Sequence, residues 1–303
     1  MKIVEVGPRD GLQNEKKILT SEEKITYIEL LVDAGISRIE AVSFARPDRV
    51  PQMADAEAVM AGVPRRDDVS YIGLVMNERG LERAVASGVD EANIVVVATE
   101  TFSQRNQGMS VADALRGTEK MVSRAHDAGL LVSVTVGASF GCPFEGEVST
   151  QQVMDIVTLV DKFGVDEIAL ADTIGVGTPR DVTRLVAAAG SITSTPLRLH
   201  LHNTRNTGYA NAFAAAEAGV SALDSSSGGI GGCPFAPNAT GNIATEDLTY
   251  LLERSGTAVG LDFERLLVAA EYVTSQLEIT TPALLGRAGW FPAPSYPEAL
   301  PHD

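Results

Sequence analysis

Cysteine is nearly absent from this chain: its 303 residues include two, Cys142 and Cys233. Two thiols build no disulfide framework, and both read as free thiols of a reducing compartment. Long apolar runs are missing as well. No stretch reaches the ~18–20 apolar residues that a membrane-spanning helix needs, so no membrane association is expected. Positive charge is short: 24 Lys and Arg stand against 40 Asp and Glu, a net charge of −16. Nucleic acid, whose backbone demands a basic face, is thereby disfavoured as a partner. An anionic small ligand met by a few local cations stays open, and the acidity itself is accounted for by solubility. A strand pattern begins at Ile3, which leaves no space for a signal or transit peptide, so a cytoplasmic protein is expected.

What the chain does contain is a repeat. A helical run ends in Gly, and a few residues later an apolar strand begins: DAGISRIEAV (33–42), ASGVDEANIVVV (86–97), DAGLLVSVTV (127–136), KFGVDEIALA (162–171) and EAGVSALDSS (217–226). Glycine closes a helix in the left-handed conformation without steric cost. Thr20 with Glu23 and Ser149 with Gln152 have capping-box spacing, and Thr178 precedes Pro179 as a helix start. Strands are expected near 3–7, 38–44, 70–76, 92–99, 131–137, 167–172, 197–202 and 221–226, each of the first seven followed by a helical pattern. Buried runs such as NIVVVAT suit a parallel sheet covered on both faces. Eight such units predict an α/β fold, a (β/α)8 (TIM) barrel, with extra C-terminal helices at 245–254 and 262–277. An open doubly wound sheet is the rival, but the glycine fingerprint it would carry after the first strand is replaced by Pro8 and Arg9. The reading is one domain over 1–279, then a Pro-rich tail over 280–303.

In such barrels the chemistry sits at the C-terminal ends of the strands. That draws attention to VEVGPRDGLQNE (4–15), where Arg9 and Asp10 follow the first strand. Glu40 lies in the second strand and Ser43 near its end, Asp172 ends the sixth, and His200 and His202 end the seventh. In LHLHN the two histidines are at i and i+2, hence on one face. A same-face His pair suits a divalent ion about as well as it suits two hydrogen-bonded structural histidines. Asp10 adds the oxygen ligand a hard cation requires, favouring Mg²⁺ or Mn²⁺ over structural zinc. Within the Gly-rich stretch 225–242, Gly228, Gly229, Gly231 and Gly232 read as a mobile loop that ends in Cys233 and Pro234. A thiol on such a lid is able to move a proton once the lid closes. Cys142, in SFGCPFEGE, also lies on this face, and the residues alone do not rank the two thiols.

Taken together, GPRDGLQNEK, EAVSF followed by VPQMAD, GCPFEGEVS, ADTIGVGTP, HLHN and GGIGGCPFAPNATGNIATEDL resemble 3-hydroxy-3-methylglutaryl-CoA (HMG-CoA) lyase, a member of a wider family of metal-dependent barrel lyases and aldolases. The resemblance runs from residue 5 to about 254. It implies cleavage of HMG-CoA to acetyl-CoA and acetoacetate with Mg²⁺ or Mn²⁺, a place in leucine degradation, and a homo-oligomer, most often a dimer. By matching motif it implies Asp10, His200, His202 and Asn242 as metal ligands. It makes Arg9 the group that stabilises charge on the thioester oxygen and Cys233 the lid thiol. Glu40 becomes an acid near Arg9, and Asp172 a carboxylate near the histidines. His200 counts among the catalytic residues too. Lys16, Arg46 and Arg49, with Lys17, are candidates for the CoA phosphates.

The chain departs from that pattern after the second histidine, where Asp-Thr-Tyr-Gly is usual and Asn203-Thr204-Arg205-Asn206 stands instead. SFARPDR likewise replaces a more typical Ser-Pro-Lys. The expected metal ligands are untouched, but the acyl group is opened to question, and another branched 3-hydroxyacyl-CoA is the alternative substrate. Arg205 either meets a substrate carboxylate or sits on the surface. A Claisen-type synthase would carry a further C-terminal region and lack the GGCP loop, and a metal-dependent hydrolase would carry further bridging ligands. A non-catalytic CoA- or metal-binding barrel is the reading from another class. It would not need the guanidinium, the ligand set and the thiol together.

Overall fold

A computed structural model describes residues 1–232 and 241–292. Among them eight parallel strands close into a barrel in sequence order: β1 (Lys2–Glu5), β2 (Arg38–Ser43), β3 (Ser70–Val75), β4 (Glu91–Val97), β5 (Leu131–Gly137), β6 (Glu167–Asp172), β7 (Leu197–Leu201) and β8 (Ala222–Ser225). Closure is made by β1 pairing with β8, with Lys2 opposite Ala222 and Glu5 opposite Ser225. Outside run α1 (Ser21–Asp33), α2 (Ala56–Gly62), α3 (Glu78–Ala86), α4 (Glu100–Gln107), α5 (Val111–Asp127), α6 (Thr150–Lys162), α7 (Pro179–Gly190) and α8 (Gly208–Glu217). This is the expected (β/α)8 barrel. Every residue of β6 and β7 is buried, because each strand faces helices on one side and the packed lumen on the other. No helix among the described residues is long and apolar enough to cross a membrane.

The caps largely follow the sequence. Thr20 and Glu23 form a reciprocal capping box. Ser149 accepts from the Gln152 amide, but the Gln152 side chain donates instead to the Ala98 carbonyl, so only half of that box exists. Gly35 and Gly219, first and last of the repeated glycines, have φ of +94° and +84°, as the helix-closing role demands.

Three features differ from expectation. β1 stops at Glu5, and a single π-helical turn, Gly7–Gly11, carries Arg9 and Asp10. Pro8 has no N–H to give, and the amides of Arg9, Asp10 and Gly11 all converge on the Val6 carbonyl. This wide turn swings both side chains inward over the barrel mouth. Second, the register of β2 shifts between Glu40 and Val42, a bulge of the kind that re-aims a side chain beside a site. Third, beyond α9 (Thr245–Arg254) and α10 (Phe263–Leu277), the expected Pro-rich tail carries a short helix, α11 (Leu285–Ala288). The amides of Leu284 and Leu285 are held by the Asp247 carboxylate, and the Trp290 ring packs on Tyr250 and Phe263. Residues 293–303 lie outside the described residues.

Candidate active site

At the C-terminal ends of the strands opens a cavity of about 470 Å³, lined among others by Arg9, Asp10, Asn93, Thr135, His200 and His202. Its floor is a cluster of converging ligand atoms. Nε2 of His200 lies 3.0 Å from Nε2 of His202, and Asp10 Oδ2 lies 3.8 and 3.9 Å from the two nitrogens. Asn242 is brought in by a bridge pairing with His202, and its Nδ2 donates to Asp10 Oδ2 at 2.9 Å. An oxygen ligand would be the other end of that same amide.

The donor set fits a divalent ion. Two ligands at right angles around a cation with bonds of ~2.1 Å stand about 3 Å apart, which is the spacing of the two imidazole nitrogens. His200 is held from behind. Its Nδ1 lies 3.1 Å from Asp224 Oδ2, and an ionised carboxylate only accepts, so the ring carries its proton on Nδ1 and aims the Nε2 lone pair at the cluster. Burial raises the carboxyl of Asp10, yet the Arg9 guanidinium and the two imidazoles outweigh it and hold the group well below the usual carboxylate range. Burial likewise works on Asp224, and the charge of Arg198 overrides it downward.

Arg9 is 9% exposed and divides its donors between two carboxylates. Nε and Nη2 meet Glu40 Oε2 at 2.9 and 2.5 Å, and Nη1 meets Asp10 Oδ1 at 2.7 Å. Desolvation lowers the affinity of Arg9 for its proton, but the charges of Glu40 and Asp10 more than restore it, so the guanidinium stays cationic at the cavity wall.

The other residues singled out in the sequence divide between the cavity wall and places away from it. Asp172 accepts from the amides of Val176 and Gly177 and so shapes the loop after β6. The carboxylate bonded to a histidine is Asp224. Burial raises the Asp172 carboxyl, against those two amides and the more distant histidines. Arg46 and Arg49 line the cavity, Arg46 while paired with Asp48. Lys16 is exposed and does not line it, and Lys17 pairs with Glu278. Arg205 does not line the cavity; it is exposed on the surface, where its Nη1 donates to the carbonyls of Ile174 and Gly175. Arg105, which also lines the cavity and lies 4.2 Å over the Phe144 ring, was not signalled by any motif.

Cys233 lies outside the described residues. Of the expected mobile loop, the stretch up to Gly232 is packed. Glu246 accepts the Gly228 amide, and Glu5 accepts those of Gly7 and Ser227. Gly231, at φ +100°, sits so close that a Cβ would lie 2.8 Å from the Gly11 Cα and 2.9 Å from the Asn242 amide nitrogen. Close approach, more than freedom, is what requires glycine there. Cys142 is buried, with Thr99 Oγ1 at 3.0 Å and the Phe144 amide at 3.4 Å from its sulfur.

A family model described as HMGL-like matches residues 1–273. The chain is 40% identical to the (R)-citramalyl-CoA lyase of Chloroflexus aurantiacus, over 98% of this chain and 96% of that one. It is also 40% identical to the mitochondrial hydroxymethylglutaryl-CoA lyase of Macaca fascicularis, over 95% and 89%. Among solved structures, an HMG-CoA lyase from Acinetobacter baumannii in complex with coenzyme A and 3-methylmalate superposes with a TM-score of 0.92 at 39% identity, covering 96% of this chain and 95% of that one.

Proposed function

Since this chain belongs to the HMGL-like family and is a carbon–carbon lyase, we propose that it cleaves HMG-CoA to acetyl-CoA and acetoacetate, using Mg²⁺ or Mn²⁺ held by Asp10, His200, His202 and Asn242. The observation that carries the reading is the placement of Arg9 directly beside the Asp10–His200–His202 cluster on one cavity wall. Retro-Claisen cleavage develops negative charge at two places, on the C3 hydroxyl oxygen as it loses its proton and on the thioester oxygen as the C2–C3 bond breaks. A divalent ion in this cluster would act as a Lewis acid toward the first. Arg9 meets the second, stabilising charge that exists only as the C2–C3 bond breaks. The hydroxyl proton passes to Asp10 Oδ1, the carboxylate oxygen not aimed at the two imidazoles, the hydroxyl oxygen becomes the new carbonyl, and the bond electrons pass to the thioester enolate. Its carbon then takes a proton, for which Cys233 is the proposed donor. Asp172 supports this site through the loop it caps, and Arg46, Arg49 and Arg105 supply cations at the mouth for the CoA phosphates.

The equal identity to a citramalyl-CoA lyase favours a second reading with the same machinery. Citramalyl-CoA carries its carboxylate one methylene closer to the carbinol carbon, and the same cleavage yields acetyl-CoA and pyruvate. A methylene in a pocket is worth ~1–3 kcal/mol, so one of the two substrates should be preferred by about 10- to 200-fold in kcat/KM. Acetyl-CoA release from HMG-CoA and (R)-citramalyl-CoA, each with Mg²⁺, Mn²⁺ or chelator, tests both readings. No release from either substrate in the presence of metal would refute them together. We propose a homodimer in the cytoplasm, for which light scattering of the purified protein is the check.

A further inference from the structure

We propose that Asn93, with Thr135 behind it, is a positioning residue that sets the aim of Arg9 through Glu40. The inference rests on the lyase reading above. It starts from the contents of the barrel lumen. Layers of branched apolar side chains usually fill such a lumen, yet here a polar chain crosses it from β5 through β4 to β2 and the π-helical turn. Thr135 Oγ1 donates to Asn93 Oδ1 at 2.9 Å, and Asn93 Nδ2 donates to Glu40 Oε1 at 2.9 Å. The other Glu40 oxygen takes both Nε and Nη2 of Arg9.

The direction of this chain is dictated by its ends. An ionised Glu40 only accepts, so the amide must turn its nitrogen to Glu40. Its oxygen is then left for the one partner with a hydroxyl to give, Thr135. Asn93 is 2% exposed and Glu40 is fully buried, so the bond between them is shielded from water, although Asn93 and Thr135 also line the cavity. Glu40 is held at both oxygens, one by Arg9 and one by Asn93. Remove Asn93, and Oε1 becomes a buried acceptor without a donor. The carboxylate then gains by rotating to take a further guanidinium N–H, and the guanidinium plane turns with it. Those are the N–H groups that must face the thioester oxygen. Asn93 itself makes no hydrogen bond to Asp10, His200 or His202, so its effect reaches the transition state through the aim of Arg9.

The experiment compares Asn93→Val, Thr135→Val, Asn93→Asp and the double exchange Asn93→Asp with Glu40→Gln on the full-length holoenzyme. The substrate is whichever of the two thioesters the wild type cleaves. Asn93→Val should lower kcat by about 10- to 100-fold, the scale of a misplaced catalytic group, with KM and Mn²⁺ affinity within about threefold of wild type. Thr135→Val should lower kcat less. Asn93→Asp sets one carboxylate against another and should be at least as damaging as Asn93→Val. The double exchange restores every hydrogen bond with the two side-chain types swapped: the amide now carried by β2 donates to the carboxylate now carried by β4 and still accepts from Arg9. It should recover about tenfold or more over Asn93→Asp alone, a coupling expected only of residues acting as one unit. A kcat for Asn93→Val within about twofold of wild type overturns the inference, as does a double exchange no better than Asn93→Asp. A residue that merely fills the core would lower the melting temperature and leave kcat in place. If Asn93→Val does not fold, Thr135→Val and the double exchange carry the test. A wild type inactive on every thioester refutes the lyase reading itself and is thereby told apart from failure of this inference.

Discussion

Asp224 stands between Arg198 and His200: one carboxylate oxygen accepts from Arg198 Nη1 at 2.8 Å, and the other lies 3.1 Å from His200 Nδ1. Arg198 is completely buried beneath the ligand cluster, and its Nε lies 2.7 Å from Glu167 Oε1, a charge contact without an aligned hydrogen bond. Arg38 joins the same network through Glu91 and Glu167 from the opposite end of the barrel. An uninterrupted run of alternating charges thus leads from the N-terminal face to the histidines.

The first prediction follows from that relationship. Asp224→Asn should weaken Mn²⁺ binding by about 10- to 100-fold, the usual effect of losing the partner of a ligating histidine. Titration calorimetry on the purified variant measures it, and unchanged affinity would mean that Asp224 serves folding alone. Arg198→Met should instead cost stability, about 3–5 kcal/mol, because it leaves buried carboxylates without their cation.

For Arg9, replacement by Met should depress turnover by a factor of hundreds to about a thousand, corresponding to ~3–4 kcal/mol of barrier. Mn²⁺ affinity should change less. Equal losses in turnover and metal binding would show that Arg9 chiefly organises the ligand cluster and does not meet developing charge.

The two thiols should behave differently. Cys142 is enclosed by Thr99, the Phe144 amide and apolar neighbours, so Cys142→Ala should leave turnover near wild type. Cys233→Ala should lower kcat by about 10²- to 10⁴-fold, the range for a positioned proton donor, while acyl-CoA still binds. Steady-state kinetics with a binding measurement separates the outcomes. A larger kinetic loss at Cys142 would reverse the proposed roles.

Two buried carboxyls predict how stability depends on pH. Burial pushes Glu5 up to about 7 and Glu246 up to about 8, against the hydrogen bonds each accepts from the backbone. Unfolded, both groups titrate near the ordinary value of 4.5. Between that value and about 8 the folded state holds more protons than the unfolded one, so stability falls as pH rises. Their contribution is complete below about 4.5 and is lost as pH passes upward through about 7 and then about 8. Melting temperature should therefore decline across this window, and Glu5→Gln with Glu246→Gln should flatten the decline. A decline of equal slope in that double variant would exclude these two groups as its source.

Much of this protein was legible in one dimension. The glycine-closed repeat depends on helix termination, and the capping pairs depend on contacts three residues apart. Both are local, and they located the eight strands and the C-terminal helices to within a few residues. The His200–His202 pair was legible for the same reason, since alternation along a strand sets residues i and i+2 on one face. The placement of Arg9 and Asp10 at the barrel mouth followed from their position after the first strand, although the π-helical turn that delivers them was not visible in a Gly-Pro dipeptide. What no local pattern carried is which partners meet across the lumen. Asp224 reaches His200 because β7 and β8 are neighbours with His200 opposite Asp224 in register. Asn93 reaches Glu40 across β3, with the aid of a bulge in β2. Asp10 meets Asn242 because the turn after β1 and the segment after β8 come together where the barrel closes. The chain by itself determined the elements and the residue types offered at their ends. Closure of the sheet into a barrel, a long-range event set by register and twist, decided which carboxylate holds which cation and which imidazole.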